Sequence, residues 1–159
     1  MKRLTIIGAL TASAAVMTAH LSLLAADTLP WPWKNKTPPD PALVILTSVE
    51  GVSVAIDKSE PPTVAVTVEA SAPTPGFTEF QLAPRMGDPN DLIFAFDAKG
   101  RPPQDMSAQV ITPVTISAKF GGAPIDKVGV VEVYAQGNCK AFSVTDNKAT
   151  ECTSQSVPQ

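Results

Sequence analysis

The 159-residue sequence predicts an all-β fold, an antiparallel sandwich of immunoglobulin-like class with about seven to eight strands. Three observations favour this class. Several segments alternate apolar and polar residues, which places the apolar set of a strand on one face. Turn-forming Pro, Gly, Asn and Asp separate these segments at short intervals. All 16 prolines lie after residue 26, where they disfavour helices almost throughout.

The first element, residues 1–26, has the pattern of a cleavable signal peptide. Lys2 and Arg3 supply a positive start, an uncharged stretch follows up to Ala26, and small residues precede Asp27. We expect cleavage close to Asp27 and a periplasmic or secreted product without a stable membrane span. The alternative is an uncleaved anchor, for which the 23 uncharged residues are long enough, although their Thr and Ser make them only moderately apolar.

Residues 27–42 are predicted to form an extended arm, because five prolines favour polyproline geometry and no apolar periodicity is present. The arm holds both tryptophans of the chain, Trp31 and Trp33. Two interpretations stay open. The rings dock on an envelope protein or at the membrane interface, or they fold back and cap the domain, since large aromatic side chains usually become mostly buried.

The sandwich domain itself is expected over 43–152, with a flexible tail over 153–159. Strictly alternating stretches predict half-buried strands, and more continuous apolar runs predict central strands. These strands are expected at 52–56, 64–68, 92–96, 114–120, 128–135 and 141–145. Edge pairing into a fibre is an alternative, but Pro62, Pro84 and Pro113 are placed where they would blunt edges, so we expect a monomer.

Cys139 and Cys152 are the two cysteines of the chain, and an exported protein meets an oxidising compartment in which thiols pair. We therefore predict one disulfide between them. It would tie the tail after the last strand to the preceding hairpin and contribute about 3 kcal/mol in the chain-entropy account. The spacing of the pair fits neither a Cys-x-x-Cys redox site nor a metal-ligand cluster.

Catalysis is not expected, because the single histidine, His20, lies in the predicted signal. Its loss removes His-dependent nucleophilic sites and the commonest transition-metal ligand. Asp88, Asp91 and Asp97 are typical of solvated turn residues and lack the spacing of a calcium loop. We expect no cofactor and no metal. After residue 26 the chain carries 15 acidic and ten basic residues, so nucleic acid is not an expected partner.

The most distinctive stretch is 71–85, in which the loop 73–77 reads Pro-Thr-Pro-Gly-Phe and a later pair reads Pro-Arg. Together with residues 109–113 and Cys139, this stretch resembles a group of small exported proteobacterial proteins of uncharacterised function. The resemblance implies an exported location and a β fold rather than an activity.

The same loop is similar to part of the Asn-Pro-Thr-Thr-Gly-aromatic motif of chagasin-like inhibitors of cysteine proteases, immunoglobulin-like domains whose loops enter the protease cleft. This resemblance implies an inserted loop lined by Thr74, Gly76 and Phe77. Gly121 and Gly122 would stand in for a second, glycine-rich loop. The sequence departs from the pattern, with alanine and proline in place of the asparagine and one threonine, and no Arg-Pro-Trp follows the strand expected at 128–135.

The function expected from the sequence is that of a non-catalytic exported binding or envelope-associated module. Its candidate binding residues are Trp31, Trp33, Thr74, Gly76, Phe77, Phe80 and Arg85. Inhibition of a cysteine protease is one alternative. Binding of a small ligand or carbohydrate is another, for which Tyr134, Phe77 and Phe80 would supply stacking faces unless they pack into the core.

Overall fold

The structure is a computed structural model that describes residues 28–33, 38, 40–58, 60–85 and 92–153. The predicted signal, the residues after 153, Asp88 and Asp91 lie outside these ranges. No helix within them is long and apolar enough to cross a membrane. The elements are β1 (Thr28–Pro30), β2 (Val44–Ile45), β3 (Ser48–Asp57), β4 (Thr63–Ala72), β5 (Thr78–Pro84), β6 (Ile93–Arg101), β7 (Thr112–Gly121), a 3₁₀ turn (Ile125–Lys127), β8 (Val130–Tyr134), β9 (Cys139–Ser143) and β10 (Lys148–Thr150).

The strands form two sheets that pack face to face, which confirms the predicted all-β sandwich. One sheet has four strands in the order β1-β7-β4-β3, and the other has six, in the order β10-β9-β8-β6-β2 with β5 also paired to β6. Lys99 of β6 pairs with both Ile45 of β2 and Gln81 of β5. Since a strand has only two edges, β2 and β5 lie on opposite sides of β6.

Two strand pairs are parallel, so the expectation of a purely antiparallel sandwich is wrong for this part of the fold. These pairs are β1 with β7 and β6 with β8. The second follows from the chain path. Between β6 and β8 the chain crosses to the other sheet and returns through β7, so β8 enters its sheet from the same end as β6 and runs in the same direction.

The core lies between the sheets and follows the predicted period of two. Val64, Val66 and Val68 of β4 are at most 1% exposed. They face Phe96 and Val133 of the other sheet, which are also fully buried. Burial of branched and aromatic side chains on both inner faces is the main favourable contribution to folding of such a domain.

The beginning of the predicted arm is part of the sandwich. β1 pairs with the end of β7, and the backbone N–H of Trp31 donates to the carbonyl oxygen of Gly121 at 3.0 Å. Trp31 is 4% exposed, with its ring centroid 4.9 Å from that of Phe94 and 5.8 Å from that of Phe120. Trp33 is half-buried beside the same cluster. In the structure the tryptophan rings therefore pack against their own domain, which is the second of the two interpretations left open by the sequence.

Cys139 and Cys152 lie at disulfide distance, with their Cα atoms 6.3 Å apart, as predicted. Cys139 begins β9, and Cys152 follows β10 in the segment that leads to the C-terminus. The pair therefore fixes the end of the described chain against the six-stranded sheet, as the sequence indicated.

Candidate functional site at the loop end of the sandwich

Four connections meet at one end of the molecule, which we call the loop end: residues 46–47, 73–77, 102–111 and 135–138. Strand register brings the second and third together, because β4 ends beside the start of β7 and β5 starts beside the end of β6. The first joins them because the Thr47 N–H donates to the carbonyl oxygen of Ser71 in β4. Hydrogen bonds add the fourth, since the N–H groups of Gln136 and Gly137 donate to the carbonyl oxygens of Leu46 and Thr47. Loops gathered at one end of a rigid scaffold are common sites of binding.

Gly76 is the point at which the two longer loops touch. Its φ of +88° lies in the left-handed region that favours glycine. A Cβ atom at this position would lie 3.3 Å from Cβ of Pro103 and 3.8 Å from Oγ of Ser107. Glycine is thus required both by the backbone angle and by the close approach of the loop 102–111. Thr74, in the same loop, is half-buried.

Phe77 and Phe80 pack inward rather than forming an exposed stacking face. A Cβ atom at Gly100 of β6 would lie 2.9 Å from the Phe80 ring and 3.1 Å from the Phe77 ring. Both rings are half-buried against the core. The space left by the missing side chain of Gly100 therefore holds the two rings, which pack beneath the loop 73–77 against β6.

Arg101 fastens the loop end to the segment before β2. Its Nη2 atom lies 2.9 Å from Oδ2 of Asp40 and 2.7 Å from Oε2 of Glu79. The backbone N–H of Ala42 lowers the pKa of Asp40, with a further contribution from Arg101. Hydrogen bonds to Glu79 and Asp40 raise the pKa of Arg101. These contacts fix the base of the loop 102–111 in place.

The loop 102–111 exposes three large apolar side chains that the sequence analysis did not name as candidate binding residues. Met106 is fully exposed, and Val110 and Ile111 are 58% and 66% exposed. The backbone is nonetheless ordered by short-range contacts, because the Val110 N–H donates to the Ala108 carbonyl and the Thr112 hydroxyl donates to the Val110 carbonyl. The available signal was an alternating apolar run from Met106 to Val110, followed by Ile111, between two prolines, Pro103 and Pro113.

Arg85 lies away from the loop end, on the outer face of the six-stranded sheet. Its guanidinium carbon stands 4.0 Å from the centroid of the Tyr134 ring, and its Nε atom is 3.3 Å from Oδ1 of Asp97. Desolvation raises the pKa of Asp97, although Arg85 and Lys99 oppose this effect. The guanidinium is therefore engaged within the fold, and the role of Arg85 as a binding residue stays a prediction.

The carboxylate of Glu132 is buried beside this group and is satisfied by the C-terminal segment. Its Oε1 atom accepts hydrogen bonds from the backbone N–H and the hydroxyl of Thr153, both at 2.7 Å, and its Oε2 atom accepts one from the Tyr134 hydroxyl at 2.7 Å. Burial and the Glu132 carboxylate raise the pKa of Tyr134 to about 12. A buried carboxylate needs such partners, so the staple at Cys152 also keeps Glu132 satisfied.

The two glycines proposed by the protease-inhibitor resemblance lie at the other end of the molecule. Gly121 pairs with Thr63 at the start of β4, whereas the loop 73–77 follows the end of β4. β4 has ten residues, and a strand rises about 3.3 Å per residue, so roughly 30 Å separates the two loops. They do not enter one protease cleft together.

Searches of protein-family models, curated proteins and solved structures give no match to this chain. Within the described ranges, no group of three or more His, Cys, Asp or Glu side chains is arranged to hold a metal ion. The observations that bear on function are therefore the surfaces themselves.

Proposed function

We propose that this protein is a non-catalytic, exported binding module that contacts a protein of the cell envelope through its loop end. One observation carries the proposal: Met106, Val110 and Ile111 are exposed together on one loop. Exposed apolar groups of this size favour association with another protein, because burial against a partner removes them from water.

Preorganisation of the loop end supports the same proposal. Contact at Gly76, the rings beneath Gly100 and the Arg101 ion pairs hold the loops before any partner arrives. A rigid surface loses less conformational entropy on binding than a flexible one. We propose export to the periplasm or beyond on the basis of the N-terminal pattern and the cysteine pair, which suits an oxidising compartment. That the sandwich belongs to the immunoglobulin-like class also stays a prediction from the sequence.

Photo-crosslinking in living cells tests this proposal. A photoreactive amino acid in place of Met106 should form an adduct with one envelope protein. The same amino acid in place of Leu92, an exposed apolar residue at the opposite end of β6, should not. The adduct should disappear in the variant Met106→Ser/Val110→Ser/Ile111→Ser if the crosslinker is moved to Ala108. Equal adducts from positions 106 and 92, or none from 106, would refute the loop end as the contact surface.

A further inference from the structure

β3 is an edge strand with a long unpaired side. It lies at the end of the four-stranded sheet and pairs with β4 alone. At its beginning the side chain of Asn138 covers the free edge, because its amide accepts from Val49 N–H and donates to Val49 O, each at 2.8 Å. From Gly51 to Ile56, no described strand pairs with the outer edge.

Most other strand edges are short, irregular or interrupted, whereas the free edge of β3 is regular and borders a cleft. β5 is irregular between Thr78 and Gln81 and ends at Pro84. β7 carries Pro113 near its start and is covered by β1 from Lys119 to Gly121, and between these two points no described strand pairs with its outer edge. β10 is only three residues long. The stretch 51–56 of β3 contains neither proline nor charge, and a regular edge of this kind is a template for strand pairing.

A cleft of about 800 Å³ opens beside this edge, with Lys58 and Asp126 at its polar part. Val54 and Ile56 line it on the β3 side, and Val128, which precedes β8, and Val144, which follows β9, add apolar surface. Val54 is only half-buried, although its cross-strand partner Val66 is 1% exposed. The inner faces of the sheets are thus left partly uncovered here. A further strand along β3 would direct every second side chain into the cleft.

The outer surface beside the same edge is acidic. Glu69 reaches over β3, since its Oε2 atom lies 3.3 Å from the position that a Cβ atom of Gly51 would occupy. Glu50 is exposed next to it and accepts a hydrogen bond from Ser48. Neither carboxylate has an ion-pair partner among the described residues. Opposite charges on neighbouring strands attract and like charges repel, so an added strand with basic outward side chains is favoured.

This charge pattern also decides between two occupants of the edge. A second copy of the chain, paired through its own β3, would bring the carboxylates of its own Glu50 and Glu69 to the same face, with Lys58 as the basic residue that follows the strand. A strand from another protein need not carry acidic side chains at these positions. Charge complementarity therefore favours a basic extended segment over self-association.

We propose that the β3 edge and the cleft bind an extended segment of another protein as an added strand, with apolar side chains in the cleft and basic side chains over Glu50 and Glu69. Main-chain hydrogen bonds along 51–56 would provide affinity, and the cleft and the carboxylates would provide selection. The cleft lies toward the end of the sandwich opposite to the loop end, and Met106, Val110 and Ile111 are not among the residues that line it.

Titration of the purified protein with two fluorescent peptides tests the proposal. One peptide alternates Val and Lys, and the other alternates Val and Glu, so only the charge of the outward face differs. We expect the Lys peptide to bind at least about tenfold more tightly at low salt. Hydrogen exchange of the amides in 51–56 should slow only when the Lys peptide is bound.

Matched variants locate the site. Ser53→Lys places a positive charge on the exposed face of β3 and should weaken the Lys peptide by about tenfold. Ser117→Lys is its control, because Ser53 and Ser117 both pair with Thr67 and share that face, two strands apart. Glu50→Gln/Glu69→Gln should also weaken binding, and Asp105→Asn/Glu151→Gln, which removes the same charge elsewhere, should not.

Three results would overturn the proposal. They are equal binding of the Lys and Glu peptides, equal loss in Ser53→Lys and Ser117→Lys, and absence of binding together with a concentration-dependent dimer that Ser53→Lys abolishes. The last result would identify a second copy as the occupant. None of the three would alter the crosslinking expected at position 106.

Discussion

The two edges of the four-stranded sheet differ in how they are covered by the rest of the chain. At one edge, β1 covers the end of β7 and Trp31 inserts into a cluster with Phe94 and Phe120. At the other edge, β3 is unpaired from 51 to 56, and Val54 and Ile56 border an open cleft. The apolar face is therefore closed by Trp31 at the end of β7, whereas beside Val54 and Ile56 it borders the open cleft.

This difference shows that the sequence pattern of a strand does not determine whether its apolar face is covered. β3 and β4 alternate equally well, yet the inward side chains Val64, Val66 and Val68 of β4 are fully buried, whereas Val52, Val54 and Ile56 of β3 are only half-buried. Coverage depends on a neighbour that is distant in sequence. At the β1 edge the chain supplies that neighbour itself, and at the β3 edge we propose that a partner supplies it.

Removal of the aromatic seal should have the largest effect on stability. Trp31→Ala is expected to lower the free energy of unfolding by about 3–5 kcal/mol, the usual cost of truncating a buried aromatic side chain. Trp33→Ala should cost clearly less, because the Trp33 side chain is half-buried. Denaturant unfolding measures both. A smaller loss for Trp31→Ala than for Trp33→Ala would contradict the view that Trp31 closes this edge.

Removal of the Cys139–Cys152 disulfide should have the second-largest effect on stability. This bond belongs to the six-stranded sheet, so its loss leaves both edges of the four-stranded sheet unchanged. Cys139→Ser/Cys152→Ser is expected to cost about 3 kcal/mol, since the bond closes a short loop in the unfolded chain. Release of Thr153 would also deprive Glu132 of two hydrogen-bond donors. Thermal unfolding of the variant, compared with the wild type with and without reductant, measures the effect. Unchanged stability in both comparisons would exclude a structural staple.

A matched pair of valines sharpens the comparison of covered and open positions. Val54 and Val66 are direct cross-strand partners on the inner face of one sheet. Val66→Ala should cost about 2 kcal/mol, because it removes a fully buried side chain, and Val54→Ala about half as much. Equal losses in urea unfolding would mean that Val54 is covered in solution.

The smallest expected effect concerns pH and the outer face of the six-stranded sheet. Desolvation raises the pKa of Asp97 above its usual 3.8. Between the unfolded and folded pKa values, unfolding releases a proton, so stability should fall as pH rises through that window. Asp97→Asn removes this dependence. Acid titration of the unfolding free energy should show the wild type losing stability relative to Asp97→Asn just above pH 3.8, and a gain would contradict this assignment.

The sequence predicted those parts of the fold that depend on neighbouring residues. Alternation at 64–68 and 114–120 located β4 and β7, and the compartment argument paired Cys139 with Cys152. Parallel pairing of β6 with β8 was missed, because it depends on the path of the chain through the other sheet.

Candidate site residues were harder to predict for a related reason. Phe77 and Phe80 are half-buried because the missing side chain of Gly100 leaves room for both rings. The exposure of Met106 depends on which strands its loop connects. Neither fact is written in the local sequence, since both depend on packing between distant segments.

Amide hydrogen exchange, resolved residue by residue in the unliganded protein, tests the contrast between the two edges most directly. We predict that every second amide from Gly51 to Ile56 exchanges rapidly, because it points away from β4, whereas the amides of Val64, Val66 and Val68 and the N–H of Trp31 are strongly protected. Protection throughout 51–56 equal to that of β4 would show that the β3 edge is already covered, and would contradict the account.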